Sequence, residues 1–126
     1  MSGHRGPTRK LGVTFDAFDV VVVPFPFTDR TTTKRRPALV LSDRDAFNER
    51  VDQLVLAMIT SARNSDWPLD VKIGNLDSAG LPSASVVRMK LFTLDTRLVT
   101  RKAGTLADSD QRTVIAALNR LLRLRG

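Results

Sequence analysis

The chain contains no cysteine, no tyrosine, one tryptophan and one histidine. Without cysteine there is no disulfide framework and no thiolate metal site, which fits a reducing cytoplasm. With His4 alone, a single chain can build neither a two-histidine acid–base pair nor a histidine metal cluster. His4 lies in a Gly/Pro/Arg-rich stretch and reads as a tail residue without a role. Long apolar runs are also missing. Nothing approaches the roughly 20 residues of a membrane helix. Residues 1–12 are polar and basic with no apolar centre, so no secretory signal is expected. These absences lead to the expectation of a soluble cytoplasmic protein with no membrane partner.

Negative charge is scarce as well. Thirteen Asp and Glu face 20 Lys and Arg, giving a formal net charge of +7. The positive excess is not confined to a tail, which favours a polyanionic partner over a merely soluble surface. With 126 residues, the chain is long enough for one domain with a real core. Residues 1–15 read as a flexible basic arm and residues 16–126 as a single domain.

Hydrophobic pattern divides that domain into short strands and one helix. Val20-Val21-Val22-Val23 is a β-branched run, expected to end at Pro24 and Pro26. Ala38 to Leu41 form a second strand opened by Pro37, and Leu54 to Ile59 a third that stops at Thr60-Ser61. Residues 43–50 suit a short helix or loop anchored by Phe47. An extended stretch is expected from Trp67-Pro68 through Ile73, then a turn-rich connection over 75–82. Residues 85–94 read as one strand or a bent pair, and Leu98-Val99 as a last strand stopped by Gly104. The end is helical. Asp108 with Gln111 resembles a capping box, and Val114, Ile115, Leu118, Leu121 and Leu122 share one face. Many short strands plus a terminal helix predict a mainly β fold, a small bent barrel.

The most informative junction is Lys34-Arg35-Arg36-Pro37 running into Ala38-Leu39-Val40-Leu41-Ser42. Fixed cations at the mouth of a rigid strand suit an anionic ligand. Phe25, Phe27, Thr28 and Thr31-Thr32-Thr33 place aromatic faces and hydroxyls beside them.

Five blocks in order resemble the MazF/PemK toxin family of type II toxin–antitoxin systems. They are Asp19 to Asp29 joined to Lys34 to Ser42; Met58-Ile59-Thr60-Ser61; Gly80-Leu81 with Ser85-Val86-Val87-Arg88; Leu91-Phe92-Thr93-Leu94-Asp95; and Gly104-Thr105-Leu106 with the helix. The resemblance covers about residues 18–124. It implies an SH3-like barrel of the CcdB/Kid/MazF kind with a C-terminal helix, usually as a homodimer. It implies a metal-independent, sequence-specific endoribonuclease that needs no cofactor and cuts single-stranded RNA. It also implies a cognate antitoxin whose acidic tail occupies the RNA groove.

Such cleavage uses the RNA 2′-hydroxyl as nucleophile and leaves a 2′,3′-cyclic phosphate and a 5′-hydroxyl. The enzyme must align that oxygen, stabilise the phosphorane charge and supply a proton to the leaving oxygen. Arg36 matches the family arginine before the proline, and its planar fork suits a phosphate. A guanidinium is a poor base, so charge stabilisation and proton delivery are its expected roles. Thr60 matches the family threonine and can hold the scissile phosphate or the 2′-hydroxyl, with Ser61 assisting; both can equally satisfy backbone groups at a strand end. Arg88 matches a second cation found in part of the family, which can bind the phosphate or pair with a carboxylate. Lys34 and Arg35 read as steering charges. Thr28, Phe27, Trp67 and Lys90 complete the expected RNA contacts, the aromatic residues through stacking on unpaired bases.

Two departures stand out. Relatives commonly carry an acid soon after the second cation, where this chain has Met89-Lys90. Asp19, Asp29, Asp43 and Asp95 remain as acids, and no spacing selects one as a base. Relatives also commonly have glycine where Phe18 precedes Asp19. Two other readings compete: a CcdB-like inhibitor that binds gyrase without catalysis, and an RNA-binding module that has lost activity.

Overall fold

The computed structural model describes residues 14–25, 34–64 and 66–123. Most of the expected basic arm, together with Phe27, Thr28 and Asp29, lies outside the described residues. Among the described residues, six strands form one antiparallel sheet: β1 (Asp19–Phe25), β2 (Lys34–Val40), β3 (Gln53–Ser61), β4 (Val71–Lys72), β5 (Ser85–Asp95) and β6 (Arg101–Thr105). Their spatial order is β4-β5-β3-β2-β1-β6. A helix, Asp108–Leu122, follows the last strand.

Both faces of the sheet are buried, because alternate residues of each strand feed separate cores. Val20, Leu39, Ala57, Ile59, Val87 and Met89 join Val114 and Ala117 of the helix in one cluster. Val21, Val23, Phe25, Ala38, Val40, Leu54 and Leu56 form the other, together with Phe15. Phe15 is only 6% exposed, so the part of the expected arm nearest the domain is packed into it. Register shifts between Val20 and Val21 and between Ala57 and Met58 mark bulges that help the sheet curl around the second cluster.

Several boundaries differ from expectation for physical reasons. β1 runs through Pro24 to Phe25. Its pairing with β6 ends at Val22, so the proline lies where only β2 flanks the strand. Leu98 belongs to a 3₁₀ turn, Thr96–Leu98, and the last strand contains Gly104 instead of stopping at it. A Cβ at Gly104 would stand 2.3 Å from the Ser78 carbonyl oxygen, so the glycine is what lets β6 meet the short helix Leu76–Ala79. That helix occupies the expected turn-rich connection and ends at Gly80, which has φ +73°. Trp67 to Asp70 form a turn, not an extended stretch: the Asp70 N–H donates to the Trp67 carbonyl at 3.2 Å and Leu69 has φ +67°.

The terminal helix is not capped by Asp108. Its cap is Ala107 without a side-chain bond, and Gln111 Nε2 donates instead to the Leu106 carbonyl at 2.9 Å. The acid that matters is Asp110, only 7% exposed, whose two oxygens accept the N–H groups of Gly74 and Asn75 at 2.9 Å each. This ties the helix to the chain just after β4. The apolar stripe is narrower than expected. Val114 and Ala117 are buried, whereas Ile115, Leu121 and Leu122 are exposed.

Asn48, not Phe47, anchors the segment after β2. Its Nδ2 donates to the carbonyls of Phe15 and Ser42 at 3.0 Å, and its Oδ1 accepts from the Ser42 hydroxyl. Asn48→Ala strands these buried groups and is expected to cost about 1–3 kcal/mol. Urea unfolding at fixed protein concentration checks it, and an unchanged midpoint refutes the anchor. Gly104→Ala should cost a further, separate amount of about 1–3 kcal/mol by overpacking two backbone segments; a variant as stable as the parent would show that the helix and β6 can separate freely.

Candidate functional site

The sheet register brings the three expected catalytic residues onto one face. On β2, Arg36 lies opposite Val23 and two residues before Ala38, both partners belonging to the second core. On β3, Thr60 follows Leu56 and Met58 of that face. On β5, Arg88 is paired with Met58 and Val86 with Thr60. Pairing of β2 with β3 extends to Ala38 and Met58, and the same register continued by two residues sets Arg36 across from Thr60. The three side chains thus occupy the end of the second core, where its apolar lining gives way to polar groups.

Each is held differently. Arg36 is half-buried, and its side chain has no ion-pair or hydrogen-bond partner among the described residues. Thr60 is 8% exposed, and its hydroxyl oxygen accepts a hydrogen bond from Asn64 Nδ2. That bond uses a lone pair and leaves the hydroxyl proton to donate elsewhere. Arg88 is 8% exposed and gripped side-on by Asp70, Nε to Oδ1 at 3.1 Å and Nη2 to Oδ2 at 2.8 Å. The hydrogen bond to Asp70 raises the Arg88 pKa, so this cation stays charged throughout the accessible range. Trp67 is 40% exposed, and its ring centroid is 5.5 Å from both Arg88 Cζ and Lys90 Nζ. Both distances are within cation–π range.

The remaining expected contacts are more dispersed. Lys34, exposed, pairs with Phe25 on the face of Arg36. Arg35, also exposed, pairs with Pro24 and therefore points to the opposite face. Ser61 is exposed at the strand end, where its hydroxyl accepts the Arg63 N–H at 3.2 Å. Thr28 and Phe27 fall outside the described residues.

Of the other acids considered from the sequence, Asp19, Asp43 and Asp95 serve the fold, and Asp29 lies outside the described residues. Asp19 is 7% exposed and bonded to Lys102 at 3.2 Å. Asp43 accepts the Ala46 N–H at 2.7 Å in a local cap. Asp95 is paired with Arg97, whose side chain and backbone N–H lower its pKa to about 2. Asp70 escaped sequence reasoning because it precedes Arg88 by 18 residues. The signal is a register: Val71 pairs with Val87, so Asp70 comes opposite Arg88. Among the described residues, no group of three His, Cys, Asp or Glu side chains is placed to hold a metal ion. No helix among them is long and apolar enough to cross a membrane.

Comparison with known proteins gives this arrangement a context. A search among curated proteins finds no significant match. Solved structures do match. MazF from Deinococcus radiodurans superposes with a TM-score of 0.70 at 25% identity, covering 90% of this chain and 100% of that one. The same organism's MazE–MazF complex (Form III) gives 0.70 at 26% identity, with the same shares covered. A mycobacterial endoribonuclease in complex with its cognate antitoxin gives 0.71 at 17% identity, covering 91% of this chain and 99% of that one, a likeness of fold. The family model for the PemK-like, MazF-like toxins of type II toxin–antitoxin systems spans residues 16–122, from the turn before β1 to the end of the terminal helix. With the curled six-stranded sheet and its helix matching from end to end, the chain belongs to the PemK-like, MazF-like toxin family.

Proposed function

We propose that this toxin cleaves single-stranded RNA at the end of the second core, with Arg36, Thr60 and Arg88 as its catalytic groups. The observation that carries the reading is the register, which gathers an arginine without a described partner, a hydroxyl and an oriented arginine on one face. The reaction is an internal transesterification. The 2′-oxygen attacks phosphorus and its proton passes to water, the bond to the 5′-oxygen breaks as that oxygen takes a proton from Arg36, and water returns a proton to the guanidine. Products are a 2′,3′-cyclic phosphate and a 5′-hydroxyl.

Arg36 grips the non-bridging oxygens as negative charge builds on them, and a guanidinium hydrogen delivers the leaving-group proton. The Thr60 hydroxyl donates to the scissile phosphate while Asn64 fixes its orientation. Arg88 contributes a second set of donors. Lys34 and Arg35 attract the backbone, and Ser61 sits at the rim. Lys90 and Trp67 receive the next nucleotide, the ring stacking on its base. Phe27 and Thr28 belong to the same RNA-binding proposal through their place in sequence before β2. A cytoplasmic homodimer, inhibited by a cognate acidic antitoxin, completes the reading. The MazE–MazF and endoribonuclease–antitoxin complexes among the structural neighbours support the antitoxin part.

Arg36→Ala should lower RNA cleavage by at least about 100-fold with the fold retained. Sequencing of 5′-hydroxyl ends after incubation with mixed RNA in chelator reads the outcome. A variant that cuts normally removes Arg36 from the mechanism, and a parent protein that inhibits gyrase but leaves RNA intact replaces the whole reading. Joint replacement of Lys34 and Arg35 by alanine should weaken binding across all sequences. It should also flatten the dependence of log affinity on log salt by about 0.7, the share of one phosphate contact on a single strand, because Lys34 lies on the face of the site while Arg35, on the opposite face, acts through its field. An unaltered slope would show that these cations do not meet the backbone.

A further inference from the structure

We propose that Asp70 is a positioning residue for cleavage, holding the Arg88 guanidinium in the orientation from which it meets the phosphate. This rests on the ribonuclease reading above and adds a residue from a different strand.

Three observations converge on it. First, the pairing is built into the sheet: Val71 opposite Val87 places Asp70 opposite Arg88. Second, the contact is a two-point grip through Nε and Nη2, which fixes the plane of the guanidinium and not merely its position. Third, the turn that presents Asp70 is itself constrained. Leu69 is a non-glycine residue at φ +67°, a conformation that persists only where the surroundings impose it. The same turn carries Trp67, whose ring lies against Arg88 and Lys90. The following chain is pinned to the terminal helix through Asp110. Arg88 is therefore set from two sides by one short segment.

Stability alone gives little reason for such a pair. Arg88 is 8% exposed and its partner carboxylate 19%, and withdrawing two charges from water offsets much of their attraction. Two apolar side chains would fill the site about as well. What they would not supply is a cation with a defined plane beside Thr60 and Arg36. The carboxylate also cancels one positive charge at the place where RNA is bound. A site built for affinity alone would omit it.

That cancellation gives the proposal a distinctive signature. Asp70→Asn keeps the shape but removes the charge. Cleavage should slow by about 10- to 100-fold in kcat, the size expected from a misplaced catalytic group. Binding of an RNA whose scissile 2′-hydroxyl is replaced by hydrogen should be equal or tighter, because the site gains net positive charge. Asp70→Glu should recover part of the rate. In an Arg88→Ala background, Asp70→Asn should have no additional effect on kcat, since the group it orients is gone.

A wild-type rate in Asp70→Asn overturns the proposal. So does an equal loss of rate in the Arg88→Ala background, or a loss of affinity in step with a loss of thermal stability, which marks a purely structural pair. If Asp70→Asn does not fold, the Asp70→Glu variant alone and on Arg88→Ala carries the same cycle. A wild-type protein that yields no 5′-hydroxyl ends overturns the ribonuclease reading itself, a result separate from any difference between variants.

Discussion

β3 is the shared wall of the whole molecule. It pairs with β2 on one side and with β5 on the other, and its successive side chains enter opposite cores. Leu54 and Leu56 serve the second cluster while Ala57 and Ile59 serve the first. A slip of one residue would reverse every one of these assignments. The bulge against β5 belongs to the same constraint: two residues of β5, Met89 and Lys90, lie between the partners of Ala57 and Met58, so the register moves by two and the alternation of faces is kept. Beyond it, Arg88 faces the second core and Met89 the first. The polar face at the end of β3 is therefore a by-product of apolar registration. The oils fix the strands, and the strands deliver the cations.

The same register explains why parts of the molecule are readable from sequence and others are not. β-branched runs announce β1, β2 and β3, and helical spacing announces the terminal helix, because each is a local pattern with a local cause. Asp70 beside Arg88 has no such signature. Two charges separated by 18 residues become neighbours only once β4 is aligned on β5, and β4 is just Val71–Lys72. Gly104 misleads for a related reason. Glycine ordinarily punctuates a strand, but here it serves the approach of another backbone, which only the packed structure contains. Asp108 and Gln111 have the right spacing for a capping box. The helix instead uses Asp110 to tie down a distant loop, so tertiary demand outweighs the local motif. The three residues of the candidate site were legible through motif resemblance and not through their spacing along the chain.

The terminal helix reaches the site indirectly. Asp110 holds Gly74 and Asn75, these follow β4, and β4 presents the turn carrying Asp70 and Trp67. A helix on the first-core face thereby steadies a turn that acts on the second-core face. Such a route needs only short, satisfied hydrogen bonds and a stiff strand between them. It also assigns the buried carboxylate of Asp110 a purpose that capping would not require.

Trp67 has one further consequence. It is the chain's only tryptophan, and there is no tyrosine to compete with it. Its ring is partly open to solvent and lies against two cationic groups at the edge of the sheet. Ultraviolet emission from the unmodified protein thus originates almost wholly from this corner. The molecule carries its own optical probe, positioned to sense the arrival of an anion or an aromatic base and nearly blind to events in either core.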